Sequence, residues 1–187
     1  MTIRALLPIA AAGPLLGAAS PAAALLLTPD TLPQWTTSIN SALDSGDVED
    51  ITGLAGLDLL YKFEVDVGED SEPPYAGSYE GDVDDASGTI EYVSGPSIVC
   101  GVCVLVVKDG NNIPAQYLFN LSAGSPLWWN GTDDIVLAGF WPNQGGISHV
   151  GIWGVPGTSV PEPGTLGLLG VGLLVLGGLK RFGRRRA

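Results

Sequence analysis

Charge is segregated along this chain, and the segregation limits what the chain can fold into. Six of the eight basic residues lie near the ends: Arg4, then Lys180, Arg181, Arg184, Arg185 and Arg186. All 20 acidic residues fall between Leu25 and Pro163, where only Lys62 and Lys108 are basic, so that stretch carries a net charge of −18. Binding nucleic acid requires clustered Lys and Arg on a folded surface, so a nucleic-acid partner is excluded. The sequence therefore divides into one acidic domain and two apolar, basic-flanked ends that read as addresses.

Residues 1–24 read as a secretory signal peptide, with Arg4 as a weak positive start and Ala5 to Ala19 as the apolar stretch. Ala22 and Ala24 fit the small-x-small rule of signal peptidase, which predicts cleavage after Ala24. Residues 25–154 form the acidic secreted domain and 155–160 a linker. At the other end Pro161-Glu162-Pro163 precedes a Gly- and Leu-rich stretch, followed by a basic tail over 180–187. The span 164–179 is predicted as a transmembrane helix. Counted from Pro163 to Leu179 it has 17 residues, or about 25 Å of helix against a hydrocarbon core of roughly 30 Å. The span is marginal, so Lys180 and Arg181 would snorkel or the bilayer would thin. With Arg184, Arg185 and Arg186 they form an anchor stop that keeps the tail cytoplasmic and the acidic domain outside.

Motif, span and basic tail together, over residues 161–187, closely resemble the PEP-CTERM sorting signal of Gram-negative bacteria. The resemblance implies recognition by exosortase, an inner-membrane protease or transpeptidase with a cysteine nucleophile. It also implies a precursor held transiently in the inner membrane, then delivery to the cell surface or exopolysaccharide matrix. The stretches 105–121 and 129–154 look like an ectodomain that recurs in such proteins, and that likeness carries no activity with it.

The domain reads as mainly β, a β-sandwich or jelly-roll-like ectodomain with a short N-terminal helical segment. Trp35, Ile39 and Leu43 recur at helical spacing within 30–60, with Asp30 or Thr31 as cap and Gly46 as stop. Beyond that the period is two. Tyr61, Phe63, Val65 and Val67 alternate with Lys62, Glu64 and Asp66, as a half-buried strand requires. Further strands are predicted over 89–93, 98–107, 116–121, 134–140 and 147–153. Asp109-Gly110-Asn111-Asn112 is a hairpin turn signal, and residues 71–87 read as a long acidic loop.

Four features could carry chemistry. Cys100 and Cys103 have the CxxC spacing but lie in an apolar β-like run rather than opening a helix. Residues i and i+3 of a regular strand face apart, so pairing needs a bulge or turn at Gly101. In an oxidising compartment they form a structural disulfide, or stay as two buried thiols on a regular strand. His149, the only histidine, falls in a predicted strand beside Ser148 without nucleophile or metal-ligand spacing, and reads as structural. Asp82, Asp84 and Asp85 offer oxygen ligands to calcium but do not complete an EF-hand loop. A solvated acidic face is the plainer reading, and no cofactor is expected. Trp128, Trp129 and Trp141, near Tyr117, are candidates for stacking on sugar rings, because adjacent Trp128 and Trp129 cannot both point inward on a regular strand. The sequons at Asn120 and Asn130 read as chance in a bacterium.

The expectation is a non-catalytic exported surface or matrix protein, cleaved by signal peptidase and sorted by exosortase. A carbohydrate-binding module of the exopolysaccharide is the alternative. A secreted hydrolase comes third, because no pair of carboxylates is singled out.

Overall fold

A computed structural model describes residues 24–32, 35–65, 67–70, 74–109, 112–142 and 144–157. The signal peptide, the span 164–179 and the basic tail lie outside the described residues, apart from Ala24. Among those described, no helix is long and apolar enough to cross a membrane.

The fold is mainly β. Its elements in chain order are β1 (Leu25–Leu27), β2 (Trp35–Thr37), α1 (Ser45–Thr52), β3 (Asp58–Glu64), β4 (Gly68–Asp70), β5 (Tyr79–Asp84), β6 (Ser87–Tyr92), β7 (Cys103–Asp109), β8 (Gln116–Asn120), β9 (Ile135–Leu137) and β10 (Ile147–Gly154). They form a four-stranded sheet in the order β1-β9-β6-β5 and a six-stranded sheet in the order β2-β8-β7-β10-β3-β4. The described pairings are antiparallel except β1 with β9. One apolar core joins the two sheets, with Leu27, Tyr79, Ile90, Ile135 and Leu137 from the first against Tyr61, Leu105, Phe119, Val150 and Ile152 from the second. Tyr79 is central to it. Its hydroxyl donates to the Gly131 carbonyl at 2.8 Å and accepts from the Ile98 N–H at 2.6 Å, so both loops are tied to the core.

Two irregularities sort side chains between this core and the outer face of the larger sheet. The register of β10 slips between Ile147 and His149, and that of its pairing with β3 slips at Ile152/Trp153. Each bulge adds one residue, which turns the following side chains to the other face. Ile147 therefore enters the core while His149, two residues on, faces out; Leu60 and Tyr61 point in while Leu59 packs on the other side.

Three expectations are corrected. The helix does not run from Asp30 or Thr31 to Gly46 but over Ser45–Thr52. Trp35 opens β2, Ile39 and Leu43 lie in coil, and neither Asp30 nor Thr31 caps a helix. Pro33 disfavours helix at that point. The helix starts instead where Asp44 and Asp47 form a capping box, the Asp47 N–H donating to Asp44 at 2.9 Å. Gly46 sits in its first turn, and Gly53, at φ 71°, ends it in the left-handed conformation glycine takes without strain. Second, β3 stops at Glu64. Val65 and Val67 are exposed in the turn to β4, so only the first half of the alternating run is strand. Third, residues 71–87 are not one acidic loop, because Tyr79–Asp84 is β5, hairpinned to β6 through Asp85 and Ala86. Gly81 lies where any Cβ would meet the Phe63 ring and the Tyr61 hydroxyl at 2.6 Å, so the sheets close only on a bare backbone there.

Candidate functional site

The inner face of the larger sheet is filled by the core, and α1 covers one end of its outer face. Val48 of α1, with Leu43 and Leu57 beside the helix, packs on Val104, Val106, Leu118 and Trp153. Beyond the helix the register sets a polar row across five strands: Thr37 opposite Gln116, Gln116 opposite Lys108, Lys108 opposite His149, and His149 opposite Glu64. In the next row Lys62 lies opposite Gly151. The two lysines of the acidic stretch and the molecule's one histidine thus meet on one face.

Each group is held by its surroundings. Gln116 is fully buried, and its amide donates to the carbonyls of Ile39 at 2.8 Å and Ser41 at 2.9 Å, pinning the loop before α1 to the sheet. Lys108 is buried and gives its ammonium to the Asp109 carbonyl at 2.6 Å. Burial lowers its pKa, opposed by Asp109 and Glu64. Lys62 pairs with Glu64 at 2.8 Å, and that hydrogen bond is the main reason the Glu64 carboxyl titrates below its usual range. His149 is buried, and desolvation followed by the charges of Lys62 and Lys108 pushes its pKa down to about 4. The imidazole is therefore neutral at physiological pH. Between these groups lies a cavity of about 90 Å³, lined among others by Leu43, Lys62, Gln116, His149, Gly151 and Trp153.

The residues singled out in the sequence are scattered. Cys100 and Cys103 are joined in a disulfide, with Cys103 opening β7 and Cys100 in the turn before it, where the Gly101 N–H bonds the Val99 carbonyl at 2.9 Å. Trp129 and Trp141 are buried, their indoles donating to the carbonyls of Asp133 at 2.6 Å and Pro114 at 3.1 Å. Neither presents a ring face to solvent, which corrects their candidacy for stacking, while Trp128 is 56 % exposed. Asp82 and Asp84 lie on β5 with their side chains outward, and Asp85 is in the following turn, so the expected acidic loop is a strand edge. No group of three or more His, Cys, Asp or Glu among the described residues is placed to hold a metal ion. Ser148 donates its hydroxyl to the Lys108 carbonyl at 3.2 Å. Sequence reasoning left Lys62 and Lys108 out of the site. Their isolation in an acidic stretch was the available signal, but strand pairing alone brings them together.

The sorting motif Pro161-Glu162-Pro163 and the tail from Lys180 to Arg186 lie outside the described residues. Residues 159–186 match the family model of the PEP-CTERM protein-sorting motif. The chain therefore carries a PEP-CTERM sorting motif over these residues, and the motif implies export and processing by exosortase. No curated protein and no solved structure matches the chain.

Proposed function

We propose that the chain is a non-catalytic surface or extracellular-matrix protein of a Gram-negative bacterium. Its precursor is held transiently in the inner membrane by residues 164–179, and exosortase cuts at the signal around Pro161, Glu162 and Pro163. The two sheets closing on one core are read as a β-sandwich carried outside the cell. The motif match over residues 159–186 carries this reading. The Cys100–Cys103 disulfide supports it, since such bonds persist in oxidising compartments. The test is intact mass and cell fractionation of the mature protein with and without exosortase. Mature protein should lack Arg184 to Arg186, and Glu162→Ala should leave an unprocessed, membrane-bound form. Mature surface protein that retains the arginine tail overturns the reading.

Trp128 favours a second reading, a carbohydrate-binding module of the exopolysaccharide, because its ring is open to solvent. Pull-down on matrix polysaccharide tests it, and retention unchanged by Trp128→Ala removes it.

A further inference from the structure

Both chain ends leave the domain at the same end of the two sheets. β1 begins at Leu25, whose N–H donates to the Asp134 carbonyl at 2.7 Å just before β9 starts. β10 ends at Gly154, opposite the first residues of β3 and β7, and the Val155 N–H then bonds the Val102 carbonyl at 3.1 Å. The connections from β6 to β7 and from β8 to β9 meet at this end, where Gly131 lies so close to the Ile98 carbonyl that no Cβ fits. Ile113 and the β5–β6 turn lie at the opposite end, where the Phe140 N–H bonds the Ala86 carbonyl at 2.9 Å and Asn112 donates to the Gln144 carbonyl at 2.7 Å. The exit end also leaves Val93, Val99, Trp128 and Val155 exposed.

The tethers at this end are short. Six residues, 158–163, separate Gly157 from the predicted span 164–179, and six residues reach at most about 20 Å. Gly157 is itself held to the domain, since a Cβ there would stand 3.3 Å from the Val99 side chain. In the precursor, five residues separate the apolar stretch ending at Ala19 from Leu25. Two short tethers entering one bilayer turn this end toward it. We propose that the end carrying Val93, Val99, Trp128 and Val155 docks on the outward-facing leaflet of the inner membrane while the precursor is anchored, with Trp128 seated among zwitterionic headgroups. The inference rests on residues 164–179 crossing the membrane. Tryptophan settles at headgroup level because its ring is apolar while its N–H needs a polar partner. One indole and three valines make a weak contact, but a short tether supplies an effective concentration of about millimolar, which holds it. Asp58, Asp133 and Asp134 lie at the same end, so anionic lipid is repelled and a zwitterionic surface is the partner that fits.

The full-length chain in phosphatidylcholine vesicles tests this, with bromine placed high on the acyl chains to quench nearby tryptophan. A chain that floats with the vesicles should lose up to about a fifth of its tryptophan emission, since Trp128 is one of five tryptophans. Trp128→Phe should abolish that loss. Adding Ile113→Trp to that variant puts an exposed indole at the opposite end and should not restore it. Mixing phosphatidylglycerol into the vesicles should reduce the quenching about twofold or more. A chain that does not float overturns the membrane anchor and the docking with it. A chain that floats unquenched, stays quenched in Trp128→Phe, or regains quenching with Ile113→Trp overturns the docking alone. Quenching strengthened by phosphatidylglycerol overturns the zwitterionic partner.

Discussion

On the outer face of the four-stranded sheet, Glu80, Asp82 and Asp84 of β5 stand exposed beside Ser87 and Glu91 of β6, with Glu80 directly opposite Glu91. On the outer face of the six-stranded sheet, α1 covers Val104, Val106 and Leu118, Lys108 and the neutral His149 are buried, and the partly buried Lys62 and Glu64 pair with each other. The first face shows that a bare sheet can carry many like charges because water solvates each one, at the expense of a small cross-strand repulsion. The second shows that once a face is covered, every charge needs a specific partner, because desolvation outweighs long-range attraction.

Matched charge reversals on the two faces should give the largest difference. Lys108→Glu puts a carboxylate next to Asp109, within the field of Glu64 two strands away, in a buried position, and should cost about 3–5 kcal/mol in denaturant unfolding. Asp82→Lys on the exposed face should change stability by no more than about 0.5 kcal/mol. Equal effects would erase the contrast.

Acid should act next, through His149. Its pKa of about 4 in the fold lies below the ordinary 6.5, so the unfolded chain binds more protons between those values. Stability from this group is complete above about pH 6.5 and is lost as pH falls toward 4, by about 2–3 kcal/mol. Unfolding midpoints at pH 7 and pH 4.5 should differ less in His149→Gln than in the parent. Any slope that remains toward lower pH belongs in part to Glu64, whose lowered pKa adds stability that disappears as its carboxyl protonates. A parent midpoint independent of pH over this window would contradict the burial of the imidazole.

Removing the cap of α1 is smaller. Asp44→Ala should cost about 1 kcal/mol, since it breaks one capping bond without opening the core. Because α1 roofs the covered face, the same variant should also broaden the His149 resonance while leaving β5 and β6 unperturbed. Divalent cations should act least. Calcium and magnesium are expected to raise the melting temperature equally at fixed ionic strength, by screening the exposed face. A saturable, calcium-selective rise abolished by Asp84→Ala would instead make β5 a cation site.

Most strands were legible from local pattern, since Tyr61 and Phe63 alternate with Lys62 and Glu64 in β3 and since β7, β8 and β10 are short runs rich in apolar and aromatic residues. β5 was not read, although Tyr79, Val83 and the acids between them alternate. Its middle inward position is Gly81, between Tyr79 and Val83, which interrupts the apolar series because Tyr61 and Phe63 of the other sheet occupy the space. The helix was displaced in the reading because Trp35, Ile39 and Leu43 share a spacing that their surroundings do not use. Trp35 pairs with Leu118 as an edge strand, and the capping box at Asp44 decides where the helix begins.

The sequence by itself determined the addresses, the acidic character and the β class, since export signals, net charge and period-two patterning are read along the chain without reference to distant residues. Only the tertiary structure decided the candidate site. Lys62, Lys108 and His149 are 46 and 41 residues apart in succession, and two sheet registers bring them together. The bulge between Ile147 and His149 then selects the face. Were 147–149 regular strand, a period of two would turn the imidazole into the core alongside Ile147.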